Sequence, residues 1–417
     1  MNTNPLKTAS HRNLVSLNGI RSSIAIVFSS FVFAPIASAA DYYVATTGSN
    51  SYTATQAQNS ATPWKTIQKA ADTVPAGSKV HVAPGNYTGT LTIAKGGTSE
   101  ATRVYFVSDT KWGAKILGDP ANASGAVVIM APYVSLEGFD ISTASKPATY
   151  YNGVTITGTG GVGGSYVIVK GNYIHNINTS DDHGLGVSDE YYYLASDGNA
   201  KSRYNQVIGN FITKTDGYAV YISTYQATVA NNVIVDVGRF GIHLWHAANQ
   251  ATVVNNTIVN VHRGVPTDSE HQDSAGIIVG AGDEPGGVTN NSTKVHNNII
   301  MGTLNGGVTE YGATGSGNSY QNNLFYNAGS YNYALKNKLA GSGTVNANPL
   351  LVQYVANGTG NYHLAAGSTA INAGAPQGAP TTDCDGVART GNPDIGAYEY
   401  VGSFVGNPPL NLRVVLQ

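Results

Sequence analysis

Six segments of this chain place an asparagine after a small or polar residue, with β-branched and apolar residues alternating around it. They read V-I-V-K-G-N-Y-I-H-N-I, N-Q-V-I-G-N-F-I-T-K-T, A-T-V-A-N-N-V-I-V-D-V, A-T-V-V-N-N-T-I-V-N-V, T-K-V-H-N-N-I-I-M-G-T and N-S-Y-Q-N-N-L-F-Y-N-A. The shared residues are Asn172, Asn210, Asn232, Asn256, Asn298 and Asn323, spaced by 38, 22, 24, 42 and 25 residues. Short strands repeating every 20–25 residues or so are the mark of a β-solenoid, in which each coil buries its inward face on the next. The fold expected is all-β. The asparagines are expected to form an internal ladder at a turn, because stacked side-chain amides hydrogen-bond from coil to coil.

The two ends differ from this pattern. Lys7, Arg12 and Arg21 precede an apolar run from Ile24 to Ile36 and then Ala37-Ser38-Ala39-Ala40. That order reads as a secretory signal peptide over residues 1–40. Its apolar run is too short and too rich in serine for a membrane span, so the expectation is a secreted chain, extracellular or periplasmic. Within P-W-K-T-I-Q-K-A-A-D-T-V (63–74), Trp64, Ile67, Ala70, Ala71 and Val74 form a helical stripe stopped by Pro75. A short helix there would cover the open end of the first coils.

Composition narrows the partners. Only 11% of residues are charged. The 22 Lys and Arg, less the three of the leader, leave 19 against 24 Asp and Glu, a net charge of −5. No basic tract suits a nucleic-acid backbone. Tyr outnumbers Phe by 26 to 9, and outward tyrosines offer a flat face and a hydroxyl to a sugar ring. The single cysteine, Cys384, excludes an intrachain disulfide. A monomer is the default expectation.

A second element precedes the later asparagine segments: a glycine and then alternating residues, at Gly184, Gly217, Gly241, Gly276 and Gly307. From Gly217 to Asn232 and from Gly241 to Asn256 is 15 residues in each case. Aligning the glycines gives two outward rows. One is Gly186, Ala219, His243, Ile278 and Thr309; the other is Ser188, Tyr221, Trp245, Gly280 and Tyr311. This alignment makes Tyr221 and Trp245 neighbours, with His243 beside them. Insertions at 191–202, 262–275 and 283–293 break the period and are expected to project around one binding face.

The chain resembles the right-handed parallel β-helix proteins of the pectin-lyase-like superfamily. The likeness runs over nearly all of residues 41–400. It is carried by W-K-T-I-Q-K-A-A-D-T-V-P-A-G-S-K-V-H-V-A-P-G-N-Y at the start. At the end it is carried by Y-H-L-A-A-G-S-T-A-I-N-A-G (362–374) and T-D-C-D-G-V-A-R-T-G-N-P-D-I-G-A-Y-E-Y (382–400). The resemblance implies a β-helix domain over 41–400, closed by a C-terminal coil or cap module at 346–400. A tail, 401–417, follows. It also implies an enzyme acting on acidic polysaccharides. A more distant likeness is to polysaccharide lyase family nine, whose members use an outward lysine as base and an aspartate turn for calcium. Here Ser180-Asp181-Asp182-His183-Gly184 keeps the paired aspartates without the following in-strand aspartate. Gly241-Ile242-His243-Leu244 puts histidine where that family has lysine.

β-Elimination needs a base near C5 of a uronate, positive charge at its carboxylate and a proton donor for the leaving oxygen. In a chain so poor in charge, the cluster over residues 181–273 supplies those types. His243 or Lys214 is the candidate base and Tyr221 the proton donor. Arg239, with Arg263, is the candidate to neutralise the carboxylate. Trp245 is the candidate for sugar stacking, and His246, His271 and Tyr311 complete the substrate-binding set. Asp181, Asp182 and Asp216 are the candidate calcium ligands, with Asp189 or Glu190 nearby. Two other readings stay open. One is a glycoside hydrolase or epimerase, the hydrolase using Asp182 with Asp216 or Asp216 with Asp273. The other is a non-catalytic adhesin or surface protein.

Overall fold

The computed structural model describes residues 40–402, apart from 160–161, 181–182, 191–192, 263–273 and 282–287. The leader lies outside these residues but for Ala40, and the tail but for Val401 and Gly402. Among the described residues the chain winds through three parallel sheets of ten, ten and nine strands. One coil is typical. The strand Gln206–Ile208 lies in the first sheet, Phe211–Thr215 in the second and Tyr218–Ile222 in the third, and Thr228–Ala230 then begins the next coil. Val207, Ile212, Val220 and Ile222 point inward and are fully buried, and their equivalents in neighbouring coils extend one continuous core. No helix of the described residues is long and apolar enough to cross a membrane.

The asparagine ladder sits at the turn between the first and second sheets. Each Nδ2 from Asn172 to Asn298 donates to the Oδ1 of the next asparagine at 2.9–3.1 Å. Each Nδ2 also donates to a carbonyl of the preceding coil, as Asn232 does to Val207 at 2.8 Å. Each of these asparagines also donates its backbone N–H to the Oδ1 of the next, at 3.0 Å. All six side chains are fully buried, where an unpaired amide would be costly. The residue before each one has a positive φ: Gly171, Gly209, Asn231, Asn255, Asn297 and Asn322. Glycine and asparagine tolerate that left-handed conformation best, which explains the G-N and N-N pairs in the sequence.

The N-terminal helix runs Ile67–Thr73, with Thr66 as its cap. It is shorter than the stripe over 63–74, because Trp64 instead pairs with Val44 and stacks on Tyr42. Gln68 donates to the carbonyl of Thr92 and accepts from its amide, at 2.9 and 2.8 Å. Thr92 belongs to the edge strand of the third sheet, so the helix does occupy that open backbone.

After Val345–Asn346, the last strand of the second sheet, the residues up to 400 do not form a further coil. They turn back and pack along the side of the solenoid. Tyr362, Ala397 and Tyr398 lie on Phe211, Val233, Val235 and Val259, the outer face of the second sheet. Leu364, Ala370 and Ile395 lie further along, on Ile299, Met301 and Leu324. The left-handed asparagines hold the segment: Asn231, Asn255, Asn297 and Asn322 donate to the carbonyls of Thr382, Asp394, Ala375 and Ala373. The outer face of these second-sheet strands is apolar, and this segment covers it.

Candidate functional site

The insertions adjoin strands of the third sheet along the chain. The turn between the first and second sheets stays at two residues in these coils, as at Gly209-Asn210 and Asn231-Asn232. The extra residues of the long coils fall instead just before or just after third-sheet strands, at 178–183, 190–205, 262–274 and 282–293. Four consecutive strands carry the candidate residues: Gly184–Asp189, Tyr218–Ile222, Phe240–Leu244 and Ala275–Ala281.

Their register corrects the glycine alignment. Ser188 pairs with Tyr221, Tyr221 with His243, His243 with Ile278 and Ile278 with Thr309. Tyr221 and Ser188 therefore belong to the row of His243, not to that of Trp245. The glycines occupy two different positions. Gly184 opens its strand and Gly217 directly precedes its own, both at the level of Arg239. Gly241, Gly276 and Gly307 lie within it, at the level of Gly186 and Ala219. At that inner level two successive residues face the core, and a Cβ on Gly241 would come within 2.6 Å of Ile258 Cγ2. Only the smallest side chains fit there. The outer part of the second row stands: Trp245 follows Leu244, whose partner is Val279, and Gly280 pairs with Tyr311.

On the outside of this sheet Leu185, Tyr218, Phe240, Trp245, Ala275 and Ile278 form an apolar cluster separate from the core, with Tyr221 packed against it. His243 sits inside it. Its ring centroid lies 4.7 Å from Tyr218, 5.1 Å from both Tyr221 and Phe240, and 5.2 Å from Trp245. Although it points away from the core, His243 is only 1% exposed. Tyr221 is half-buried above it. His246 brings a third polar ring, 6.2 Å from Tyr221 and 6.5 Å from Trp245. Trp245 stacks on Tyr311 at 5.8 Å and 25°, and Tyr311 is 46% exposed. This is a stepped aromatic surface with a buried imidazole at its base.

The other predicted residues are placed apart. Arg239 directly precedes the His243 strand on the turn side, donates its backbone N–H to the carbonyl of Gly217, and is buried. Lys214 lies in the second sheet, with a positive φ, at the same point of its strand as Asn176, Asp236 and Asn260. Asp216 is buried in the turn between sheets, where its two carboxylate oxygens accept from the amides of Thr179 and Gly184 at 2.6 and 2.7 Å. Those bonds give it a role in shaping the turn. Asp181, Asp182, Arg263 and His271 lie outside the described residues, as does Asp273. Among the described residues no three His, Cys, Asp or Glu side chains are grouped to hold a metal.

Sequence reasoning passed over Tyr218 and Phe240, which wall the histidine, and gave Glu190 only a loose role beside calcium. Glu190 follows the Gly184–Asp189 strand. Its Oε1 accepts from Tyr150 Oη at 2.8 Å, from Asn152 Nδ2 at 3.2 Å and from Ser188 Oγ. Burial, then the nearby Glu190 charge, raises the Tyr150 pKa and keeps the phenol a donor. Asp189 beside it is fully buried, bonded by Thr224 and by Asn205 at 3.0–3.1 Å. Its burial pushes the carboxyl pKa up to about 7.

Comparison with known proteins agrees with this architecture. Residues 119–285 match the family described as right handed beta helix region. No curated protein sequence matches the chain. Among solved structures, pectate lyase Pel9A superposes with a TM-score of 0.54 at 17% identity, over 86% of this chain and 96% of that one. A rhamnogalacturonan lyase gives 0.45 at 11% identity, over 79% and 96%. An alginate lyase from Paenibacillus sp. str. FPU-7 gives 0.41 at 16% identity, over 67% and 96%. At 17% identity the likeness to the pectate lyase is one of fold. The winding through three parallel sheets, the family match and the pectate lyase superposition together make this chain a right-handed parallel β-helix protein.

Proposed function

We propose that this chain is a secreted lyase that cleaves a uronic-acid-containing polysaccharide by β-elimination. The observation that carries the reading is the pairing of Tyr221 with His243 on adjacent strands, inside an aromatic surface on the outside of the third sheet. The superposition on a pectate lyase supports the same reading. A sugar chain laid on this face would stack on Trp245 and Tyr311. The base takes the C5 proton, the C–H electrons form the C4–C5 double bond, and the C4–O bond breaks. The leaving oxygen then takes a proton. His243 is the base in this scheme and Tyr221 the donor. Arg239, with Arg263, offsets the carboxylate charge that builds on C5 deprotonation. Lys214, the other candidate base, belongs to the neighbouring sheet, so the geometry favours His243.

We further propose that Asp181 and Asp182, with Asp216, hold calcium. Asp216 already accepts from the amides of Thr179 and Gly184, so it would join the site only by sharing those oxygens with the ion. A bound calcium would neutralise the substrate carboxylate. A hydrolase using Asp216 is less well supported, because that carboxylate is buried and tied to two backbone amides.

The test is incubation with a panel of uronic-acid polysaccharides. Ultraviolet absorbance of an unsaturated product is the expected outcome. New reducing ends without that absorbance would indicate hydrolysis, and the absence of both signals would sink the enzymatic reading. Loss of activity with a chelator and its return with calcium tests the aspartate set.

A further inference from the structure

One level of the third sheet, a residue beyond the last core row, can be followed from coil to coil. Glu190 donates its N–H to the carbonyl of Ile156, Ser223 to that of Asp189 and Trp245 to that of Ile222. Gly280 and Tyr311 continue the level and pair with each other. Counting on from the Thr309–Ala334 pair brings Lys336 level with Tyr311. The row therefore runs Glu190, Ser223, Trp245, Gly280, Tyr311 and Lys336. One end is acidic, with the Asp189 carboxyl beside Glu190. The middle is aromatic, and the other end is a cation. Among the described residues no strand of the third sheet contains Lys or Arg, and Arg239, which precedes one, is buried.

Lys336 is exposed, yet its amine is held. Nζ donates to the carbonyl of Gly312 at 2.8 Å and stands 5.9 Å from the centroid of the Tyr311 ring. Its backbone N–H donates to Glu310 Oε2 at 2.7 Å. Glu310 pairs with Val279 and is 4% exposed. Asn318 Nδ2 and Tyr320 Oη fix its other oxygen at 2.9 and 2.6 Å. A buried carboxylate thus anchors the turn that presents the lysine. An ammonium has three donors, and Gly312 takes one.

We propose that Lys336 binds a carboxylate of the substrate at the far end of the aromatic surface, so that an acidic sugar chain runs from the Tyr221–His243 pair over Trp245 and Tyr311 toward the later coils. This deepens the lyase reading and rests on it. Lys336 lies three strand spacings beyond the coil of Trp245, roughly 14 Å, so only a chain of several sugars reaches it. At that distance it holds substrate and transition state alike, and its contribution falls on KM. The acidic end of the row disfavours the same chain on the Glu190 side.

Affinity electrophoresis in gels containing polygalacturonate, alginate or hyaluronan reads binding as retardation, and kinetics on the best substrate separate KM from kcat. Lys336→Gln is compared with Lys338→Gln, which removes the same charge two residues further on. Lys336→Gln is expected to raise KM and weaken polymer binding about threefold to fivefold, the size of one exposed charged contact, with kcat kept. Lys338→Gln is expected to change either by less than about 1.5-fold, and Lys336→Arg to restore most of the binding. On the carboxyl-reduced form of the polymer, wild type and Lys336→Gln should be retarded equally. Equal losses in the two Gln variants overturn the proposal, as does a Lys336→Gln loss that persists on the carboxyl-reduced polymer. Absence of retardation by every acidic polymer also overturns it. Retardation without unsaturated product removes the lyase reading alone, and the ratio between the variants then still decides the subsite.

Discussion

Tyr221 and His243 stand at the same level of adjacent coils, with ring centroids 5.1 Å apart and planes crossed at 80°. The phenol is half-exposed and the imidazole lies beneath it, walled by Tyr218, Phe240 and Trp245. If the pair moves the two protons of an elimination, neither ring can be dispensed with. Tyr221→Phe and His243→Ala are each expected to lower kcat by about 10²–10⁴-fold with a smaller change in KM. Lys214→Ala is expected to stay within about threefold of wild type. Rates of unsaturated-product formation on the best substrate check all three. Full activity in His243→Ala would remove it from the mechanism.

Gly280 leaves the space that Trp245 fills. A Cβ on Gly280 would lie 2.1 Å from the Trp245 ring, and Tyr311 stacks on the far side at 5.8 Å. Gly280→Ala should therefore push the indole off Tyr311, with Tyr221 and His243 themselves unsubstituted. The expected effect is a rise in KM of about threefold to tenfold, the size of one stacking contact, with kcat largely kept. Equal falls in kcat and kcat/KM would instead show that Trp245 acts in the chemical step.

The ladder was legible because one residue type does one job in every coil, and its spacing repeats. The active face was only half legible. Glycine serves two purposes here, opening the strand at Gly217 and fitting under Ile258 at Gly241, so a glycine alignment mixed two levels. Counting forward from the ladder gives the right row: Tyr221 follows Asn210 by eleven residues, and His243 follows Asn232 by eleven. The two-residue difference between those coils arises later, in the turn after Leu244. Glu190 was out of reach of any spacing argument, because Tyr150 and Asn152 come from the preceding coil, about 40 residues earlier. The C-terminal segment, 346–400, was expected as a coil or cap module. Its place along the side followed only from the apolar outer residues of the second sheet, such as Val233, Val235 and Val259.

Asn232 tests what the ladder contributes to stability. Removing its amide leaves Asn210 without the acceptor for its N–H and Nδ2, Val207 without its side-chain donor and Asn256 Oδ1 with only the backbone N–H of residue 232. All of these groups are in the dry interior, so Asn232→Ala should cost on the order of 3 kcal/mol or more. Asn232→Asp removes the two Nδ2 donors and adds a charge, and should be at least as damaging. Denaturant unfolding of the purified variants measures both. A cost below about 1 kcal/mol would mean that the coils are held by their apolar residues with little help from the amides.

Asp189 gives the fold a pH dependence of defined sign. Burial raises its pKa in the folded chain to about 7, from an ordinary 3.8. The folded state then binds more protons than the unfolded state between those values, so this group's contribution falls as pH rises. The contribution is complete below about pH 4, declines through the folded pKa near 7 and is flat above it. Asp189→Asn cannot ionise. Its stability relative to wild type should rise from pH 5 to pH 8, by up to a few kcal/mol. Because Asn205 and Thr224 donate to the carboxyl oxygens, the variant should be the less stable protein at pH 5. Thermal melts of both proteins across pH 4–9 give the difference curve. A flat curve would place the Asp189 pKa at its ordinary value, with the hydrogen bonds fully offsetting the burial.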